Sequence, residues 1–313
     1  MRRSSVFAIA LIATFAVGAL SVARAQTLLL DPLTQPKFVN PLPNPIDPGF
    51  SYQPLSGCDS EFPSDCDTCY AVGAHEFDQH LGIYDPVTVQ PLQTRVWGYG
   101  TGPGPPNATY PGRTFRAVGD PNGVNNEKVC VRWTNDLVDE SGSPLRHLLP
   151  IDPTVHWAFS DNYEDYLQYG VPLVPHVHGG HTESDSDGLP EHWWTPGEGA
   201  VGPDFVKSIY EYDNDQQAGT IWYHDHALGI TRLNVYAGLA GFYIIRDAFD
   251  TGEPGNALNL PTFPYEGALV IKTSNSPSTG SSIILQRRRL PSPAYPCPPT
   301  RAYSRNFSVT SFS

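Results

Sequence analysis

The sequence predicts an all-β protein, a sandwich or barrel of short strands. Three observations carry this expectation. From Tyr70 onward short apolar runs alternate with turn-forming residues, proline (32) and glycine (28) are abundant, and long helical patterns are scarce. The predicted strands fall at residues 94–97, 128–133, 174–177, 205–212, 220–223 and 239–245, with one helical candidate at 162–169. No internal repeat is visible.

In chain order, residues 1–25 read as a secretory signal peptide. Arg2 and Arg3 precede an apolar run over 6–20, and Ala23-Arg24-Ala25 forms a small-x-small cleavage site before Gln26. That run is too short for a membrane span, and no later stretch reaches about 18 apolar residues. The expectation is therefore a secreted, periplasmic or extracellular protein. Residues 26–69, rich in Pro, Asp and Ser, read as an extended lead-in. Residues 70–250 hold the strand pattern. A boundary falls where Asp, Gly, Pro and Asn cluster after the strand ending near Arg246, and 251–272 read as a linker leading into a second unit. Residues 273–313 break the pattern.

Charge narrows the partners. The chain carries 19 basic and 32 acidic residues, net −13; loss of Arg2, Arg3 and Arg24 with the signal leaves 16 against 32. Nucleic acid and anionic membrane surfaces do not suit such a chain. Export permits disulfides among Cys58, Cys66, Cys69, Cys130 and Cys297. Cys66-Asp67-Thr68-Cys69 has the spacing of half a zinc site, but no second pair follows, so a local disulfide is expected there. Asn107 and Asn306 stand in glycosylation sequons, which matter only in a eukaryotic secretory host.

Four of the ten histidines form two pairs at spacing i, i+2: His176-Val177-His178 and His224-Asp225-His226. On an extended strand alternate side chains share a face, about 7 Å apart along the chain. Two imidazoles so placed can reach neighbouring metal ions or converge on one. Neutral imidazole suits copper, zinc, iron and nickel. Spacing alone does not select among these metals, nor between catalysis and structural binding.

The longer flanks add a resemblance. The run from His176 through Gly179-Gly180-His181 to Asp187-Gly188-Leu189-Pro190-Glu191 resembles the first copper motif of multicopper oxidases. The run Ile221-Trp222-Tyr223-His224-Asp225-His226-Ala227 through Arg232, Asn234 and Gly241 resembles the second. The spore-coat laccase and bilirubin oxidase branch is the nearest likeness, with supporting matches at Val96-Trp97-Gly98-Tyr99-Gly100, Tyr110-Pro111-Gly112 and Val131-Arg132-Trp133-Thr134-Asn135. The likeness covers about residues 70–272. It implies a cupredoxin (plastocyanin-like) domain, a Greek-key β-barrel, over 70–250. It implies copper as cofactor, His176 as ligand of a type 2 copper, and His178, His224 and His226 as ligands of paired type 3 coppers. Asp187 matches an acidic residue that helps deliver protons; from the sequence alone it reads equally well as a turn-capping loop acid. His156, His181 and His192 are not carried over as ligands, and Arg232 and Asn234 are candidates to support the ligands. Trp222 and Tyr223 are expected to pack beside the site.

The resemblance also implies reduction of dioxygen to water with electrons from a small reducing substrate: a phenol, a bilirubin-like pigment or a metal ion. The family's remaining cluster ligands come from a His-Pro-x-His-x-His-type run and a His-Cys-His run. No histidine follows His226, and Cys297 has none beside it. The sequence thus supplies half the cluster ligands and no type 1 site, the pattern expected of a truncated oxidase. All 32 acidic residues lie at or before Glu266, whereas the stretch beyond contains Arg287, Arg288, Arg289, Arg301 and Arg305. Back-translating residues 305–313 in a shifted frame allows PEFFGDFIL, which resembles the start of the family's next segment. A frame slip after about residues 271–272 is therefore expected. Two other functions fit less of the pattern: a secreted non-enzymatic copper-binding cupredoxin, and a small two-domain oxidase, which needs a His-Cys-His run.

Overall fold

The computed structural model describes residues 30–102, 104, 107–160 and 162–271, with the backbone of 276–278 and 281–283. The expected signal peptide, Cys297, the Asn306 sequon and most of the 273–313 tail lie outside these residues. The described chain is all-β, as the alternating pattern predicts. Its strands are β1 (Thr68–Tyr84), β2 (Pro91–Thr101), β3 (Gly112–Val118), β4 (Val129–Asn135), β5 (Pro175–His178), β6 (Ile209–Tyr212), β7 (Gly219–Asp225) and β8 (Ala240–Arg246). A short ladder also pairs 276–278 with 281–283.

Two four-stranded sheets result, in the orders β2-β1-β4-β6 and β3-β8-β7-β5. Each mixes one parallel pair, β1 with β4 and β3 with β8, with antiparallel neighbours. Alternate residues of both sheets meet in an aromatic core. Tyr70, Tyr99 and Trp133 come from the first sheet, and Phe115, Tyr223 and Tyr243 from the second. Phe115 sits at the centre, with ring centroids 5.1 Å from Tyr70, 5.1 Å from Tyr223 and 5.8 Å from Trp133, at steep interplanar angles. Edge-to-face contacts of this kind add about 0.5–1.5 kcal/mol each beyond burial. Three of the polar tips are paired. Tyr223 Oη donates to the Arg113 carbonyl (2.7 Å), Trp133 Nε1–H to Tyr212 Oη (3.1 Å) and Tyr243 Oη to Asn214 Oδ1 (3.0 Å). Gly241 makes room for the Tyr223 ring; a Cβ there would stand 2.5 Å from Tyr223 Cε1.

Four features differ from expectation. β1 and β3 emerge as full strands. In β1, Gly73, His75, Glu76, Asp78 and Gln79 dilute the apolar alternation, and the strand is held by partners on both sides, β2 and β4. The run predicted at 205–212 is a strand only over Ile209–Tyr212, because Phe205 closes a turn on Gly202. The helix expected at 162–169 appears as α1 (Tyr163–Tyr169), and a second, α2 (Thr231–Ala237), accompanies it. The short α2 is rich in residues that disfavour helix, and buried Asn234 and Ala237 hold it against the fold. The expected local Cys66–Cys69 disulfide does not form: Cys58 bonds Cys69 and Cys66 bonds Cys130. Parallel pairing of β1 with β4 sets Cys69 beside Cys130, and the lead-in then supplies one partner to each. That lead-in is irregular as expected, yet it packs against the domain, with Tyr52 in the core and Ser51 bridged to Thr114.

Candidate metal centre

Strand parity places the histidines. β5 and β7 pair antiparallel with His176 opposite His224 and His178 opposite Trp222, so these four side chains share one face. Val177 and Tyr223 alternate inward and join the core. His226, two residues beyond His224, continues the same face as the chain leaves β7.

The result is a cluster of four imidazoles. Ligand atoms of His176, His178 and His224 lie within 4.8 Å of one another, and His178 Nδ1 is 3.3 Å from His224 Nε2. His226 stacks on His176 with centroids 4.8 Å apart, and stands 5.6 Å from His224. Trp222 covers one side, stacked at 4.1 Å on His224 and 5.4 Å on His178. This is the packing expected of Trp222; Tyr223 instead lies in the core beneath. An apolar cleft of about 740 Å³, walled by Trp222, Phe242 and Ile271, also borders His224.

Four cationic rings at such spacing would repel one another. Burial pushes His224 down to about 4, and the neighbouring histidines push it the same way. His226 is lowered as well, first by burial and then by His176. The converging donor atoms are all imidazole nitrogen, a set that fits a transition-metal ion.

Carbonyls fix the ring orientations. His176 Nδ1–H donates to the Asp187 carbonyl (2.5 Å), and the Asp187 carboxylate lies 3.3 Å from the same nitrogen. His224 Nδ1–H donates to the Asp225 carbonyl (2.6 Å). Both bonds leave Nε2 for a ligand. The loop that carries Asp187 reaches His176 because Gly188, at φ +70°, lies against β5, where a Cβ would run into the Pro175 carbonyl.

Beneath the cluster is a buried network that the spacing of the histidines did not reveal. Parity turns Asp225 inward, where it is 0 % exposed. Its carboxylate accepts from Val174 N–H (2.9 Å), Ala227 N–H (3.2 Å) and Asn234 Nδ2 (2.8 Å). Burial pushes its carboxyl up to about 7, while the donated bonds pull the other way. Asn234 also donates to the Pro172 carbonyl (2.9 Å), and its Oδ1 accepts from His147 Nε2 (3.1 Å). Leu149 N–H donates to His147 Nδ1 (2.9 Å), which fixes that tautomer. Asn234, expected as a supporting residue, is therefore the hub that ties α2 to β7. Nothing in the sequence singles out His147, because its partner is 87 residues away. Arg232 borders the apolar cleft. Of the histidines not expected as ligands, His156 is exposed, His192 is buried, and His181 is exposed and paired with Asp215 (3.3 Å).

Comparison with known proteins agrees with the motifs. A sequence model of a multicopper oxidase domain matches residues 162–249. A laccase of Bacillus stratosphericus is 45 % identical over 178 residues, 57 % of this chain and 29 % of that protein. A laccase of Bacillus subtilis (strain 168) is 39 % identical over 205 residues, 66 % of this chain and 34 % of that protein. The crystal structure of a laccase from Pediococcus acidilactici superposes with a TM-score of 0.44 at 19 % identity, over 75 % of this chain and 34 % of the other. The chain spans about a third of the length of the relatives it matches.

Proposed function

The chain belongs to the multicopper oxidase family, and on that premise we propose that it is the copper-ligating amino-terminal part of an exported oxidase that couples oxidation of a small reducing substrate to reduction of dioxygen to water. The substrate class is phenols, bilirubin-like pigments or metal ions. The observation that carries the reading is the convergence of three imidazole ligand atoms within 4.8 Å, with His226 stacked alongside.

His176 would hold the type 2 copper, and His178, His224 and His226 the type 3 pair. Bound copper supplies electron transfer to dioxygen. The chain's own residues do the rest. The Asp187 and Asp225 carbonyls hold the rings of His176 and His224 in the tautomer that frees Nε2. Trp222 shields one side of the cluster from water. The Asp187 carboxylate, partly exposed and 3.3 Å from His176, can take protons from solvent and pass them inward. Export is supported by the signal-like residues 1–25. Among the described residues no helix is long and apolar enough to cross a membrane.

The test is copper titration of the purified chain, followed by electron paramagnetic resonance and visible absorbance. Copper should bind through imidazole nitrogen without an intense blue band, since no cysteine stands in a His-Cys-His run. His176→Ala and His224→Ala should each weaken binding at least tenfold. Unchanged copper binding in both variants, or a strong blue colour, would overturn the reading.

A further inference from the structure

We infer that the chain carries a second metal site, for a zinc-class divalent cation, on the outer face of the other sheet, where His75 and Asp136 converge above Gly73. The site owes nothing to the histidine pairs. His75 and Gly73 are two apart on β1 and share a face. Gly73 pairs with Thr134 on β4, which points the same way, and Asp136 follows as the chain leaves β4.

His75 lies on the outward face, yet is only 2 % exposed, and its Nε2 is buried without a hydrogen-bond partner among the described residues. Such a group costs about 1–3 kcal/mol to leave unsatisfied. Asp136 Oδ2 is 3.7 Å away, too far for a hydrogen bond and right for two ligands of one ion. Ligands about 2.1 Å from a zinc ion can stand up to about 4.2 Å apart. Burial lowers the His75 pKa against the pull of Asp136, so the ring is neutral at pH 7 and offers a lone pair. Thr134 Oγ1 donates to Asp136 Oδ2 (2.7 Å) and holds the carboxylate in place.

Gly73 supplies the space. A Cβ at Gly73 would clash with Asp136 Oδ2, and would stand 2.6 Å from Thr134 Oγ1 and 2.9 Å from His75 Nε2. Three polar atoms thus surround one small volume that the missing side chain leaves open. It faces a broad groove of about 880 Å³ lined by Asp139, Glu140 and the Arg95 ion pairs with Glu76 and Asp78, and water from the groove can complete the coordination. The neutral nitrogen and the carboxylate suit zinc better than calcium or magnesium, which take oxygen ligands.

Zinc equivalents bound by the full chain are measured by equilibrium dialysis with metal analysis and by calorimetry with Zn²⁺ alone. Gly73→Ala, His75→Ala and Asp136→Asn should each lose one equivalent, or weaken that binding step at least tenfold. The loss should recur unchanged in a His224→Ala background, because the two sites share no residues. Gly73→Ala is the decisive variant: it keeps both ligands, meets only side-chain ends, and fills the volume. Circular dichroism reports folding, and should His75→Ala misfold, Gly73→Ala and Asp136→Asn carry the test. Wild-type zinc content in the folded variants would overturn the proposal and assign the volume to water.

Discussion

The two sheets face one aromatic core but differ on their outer faces. The first sheet is built to stay as it is. Two disulfides cross into it, Arg95 pairs with Glu76 and Asp78, Arg132 with Asp59 and Glu61, and Lys128 with Asp65 and Glu211. The second sheet presents four imidazoles, and its polar investment lies underneath, in Asp225, Asn234 and His147. The difference separates two uses of one side chain. His147 has both ring nitrogens in hydrogen bonds and is a structural residue. His176 and His224 have one nitrogen anchored on a carbonyl and the other turned toward neighbouring rings. A histidine with one nitrogen anchored and the other facing neighbouring donors is the pattern of a ligand.

If the first sheet depends on its covalent staples, removing one should cost stability and leave the copper site alone. The Cys66–Cys130 bond closes a separation of 64 residues. Its loss in Cys66→Ser/Cys130→Ser should cost about 4 kcal/mol on the chain-entropy account, read by denaturant unfolding. Copper affinity at pH 7 should change less than threefold; a large change would show that the sheets are coupled. The second sheet should fail differently. Asn234→Ala strips partners from His147 Nε2, the Pro172 carbonyl and Asp225 Oδ1 together. Unmet buried groups make this about 3 kcal/mol, and Asp225 lies between His224 and His226 in sequence, so copper affinity should fall as well. Unchanged copper binding would break the link drawn here between network and cluster.

These contrasts also mark what the sequence makes legible. The all-β class and most strand positions follow from alternation, and the shared face of the histidine pairs follows from their spacing. The cross-strand register is not local information: nothing near His176 says that it will stand opposite His224. The disulfides escape for the same reason, since parallel pairing of β1 with β4 decides which cysteines meet. Helix α2 escapes because its stability lies in Asn234's buried bonds, while its own residues favour other structure. Asp225 is visible in the motif, but its inward direction follows only once β7 is known to pack against the core.

A smaller effect separates the buried histidine from the cluster by pH. Burial pushes His147 down to about 4, well below the usual 6.5. Above pH 6.5 the ring is neutral in both folded and unfolded chains and contributes no pH dependence. As pH falls from 6.5 towards 4, the unfolded chain takes up a proton that the folded chain refuses, so stability declines. The slope for one such group approaches about 1.4 kcal/mol per pH unit. His147→Gln should be less stable at pH 7, with a shallower decline across that window, measured by urea unfolding at several pH values. Parallel curves for the two proteins would show that His147 does not titrate as its burial demands.

The smallest expected effect is at Asp187, where two atoms compete for the same role. The backbone carbonyl accepts from His176 Nδ1 at 2.5 Å, whereas the carboxylate stands at 3.3 Å and is partly exposed. If the carbonyl orients the ring, Asp187→Asn leaves the anchor intact and removes only a screened charge, worth well under about 1 kcal/mol. Copper affinity should then fall less than threefold, against at least tenfold for His176→Ala. Within the complete oxidase proposed above, the same change should leave copper content alone and slow oxygen uptake, because it removes the proton-carrying group without disturbing the ligand. A tenfold loss of copper affinity in Asp187→Asn would reverse the assignment: the carboxylate, and not the main chain, would be what holds His176 in place.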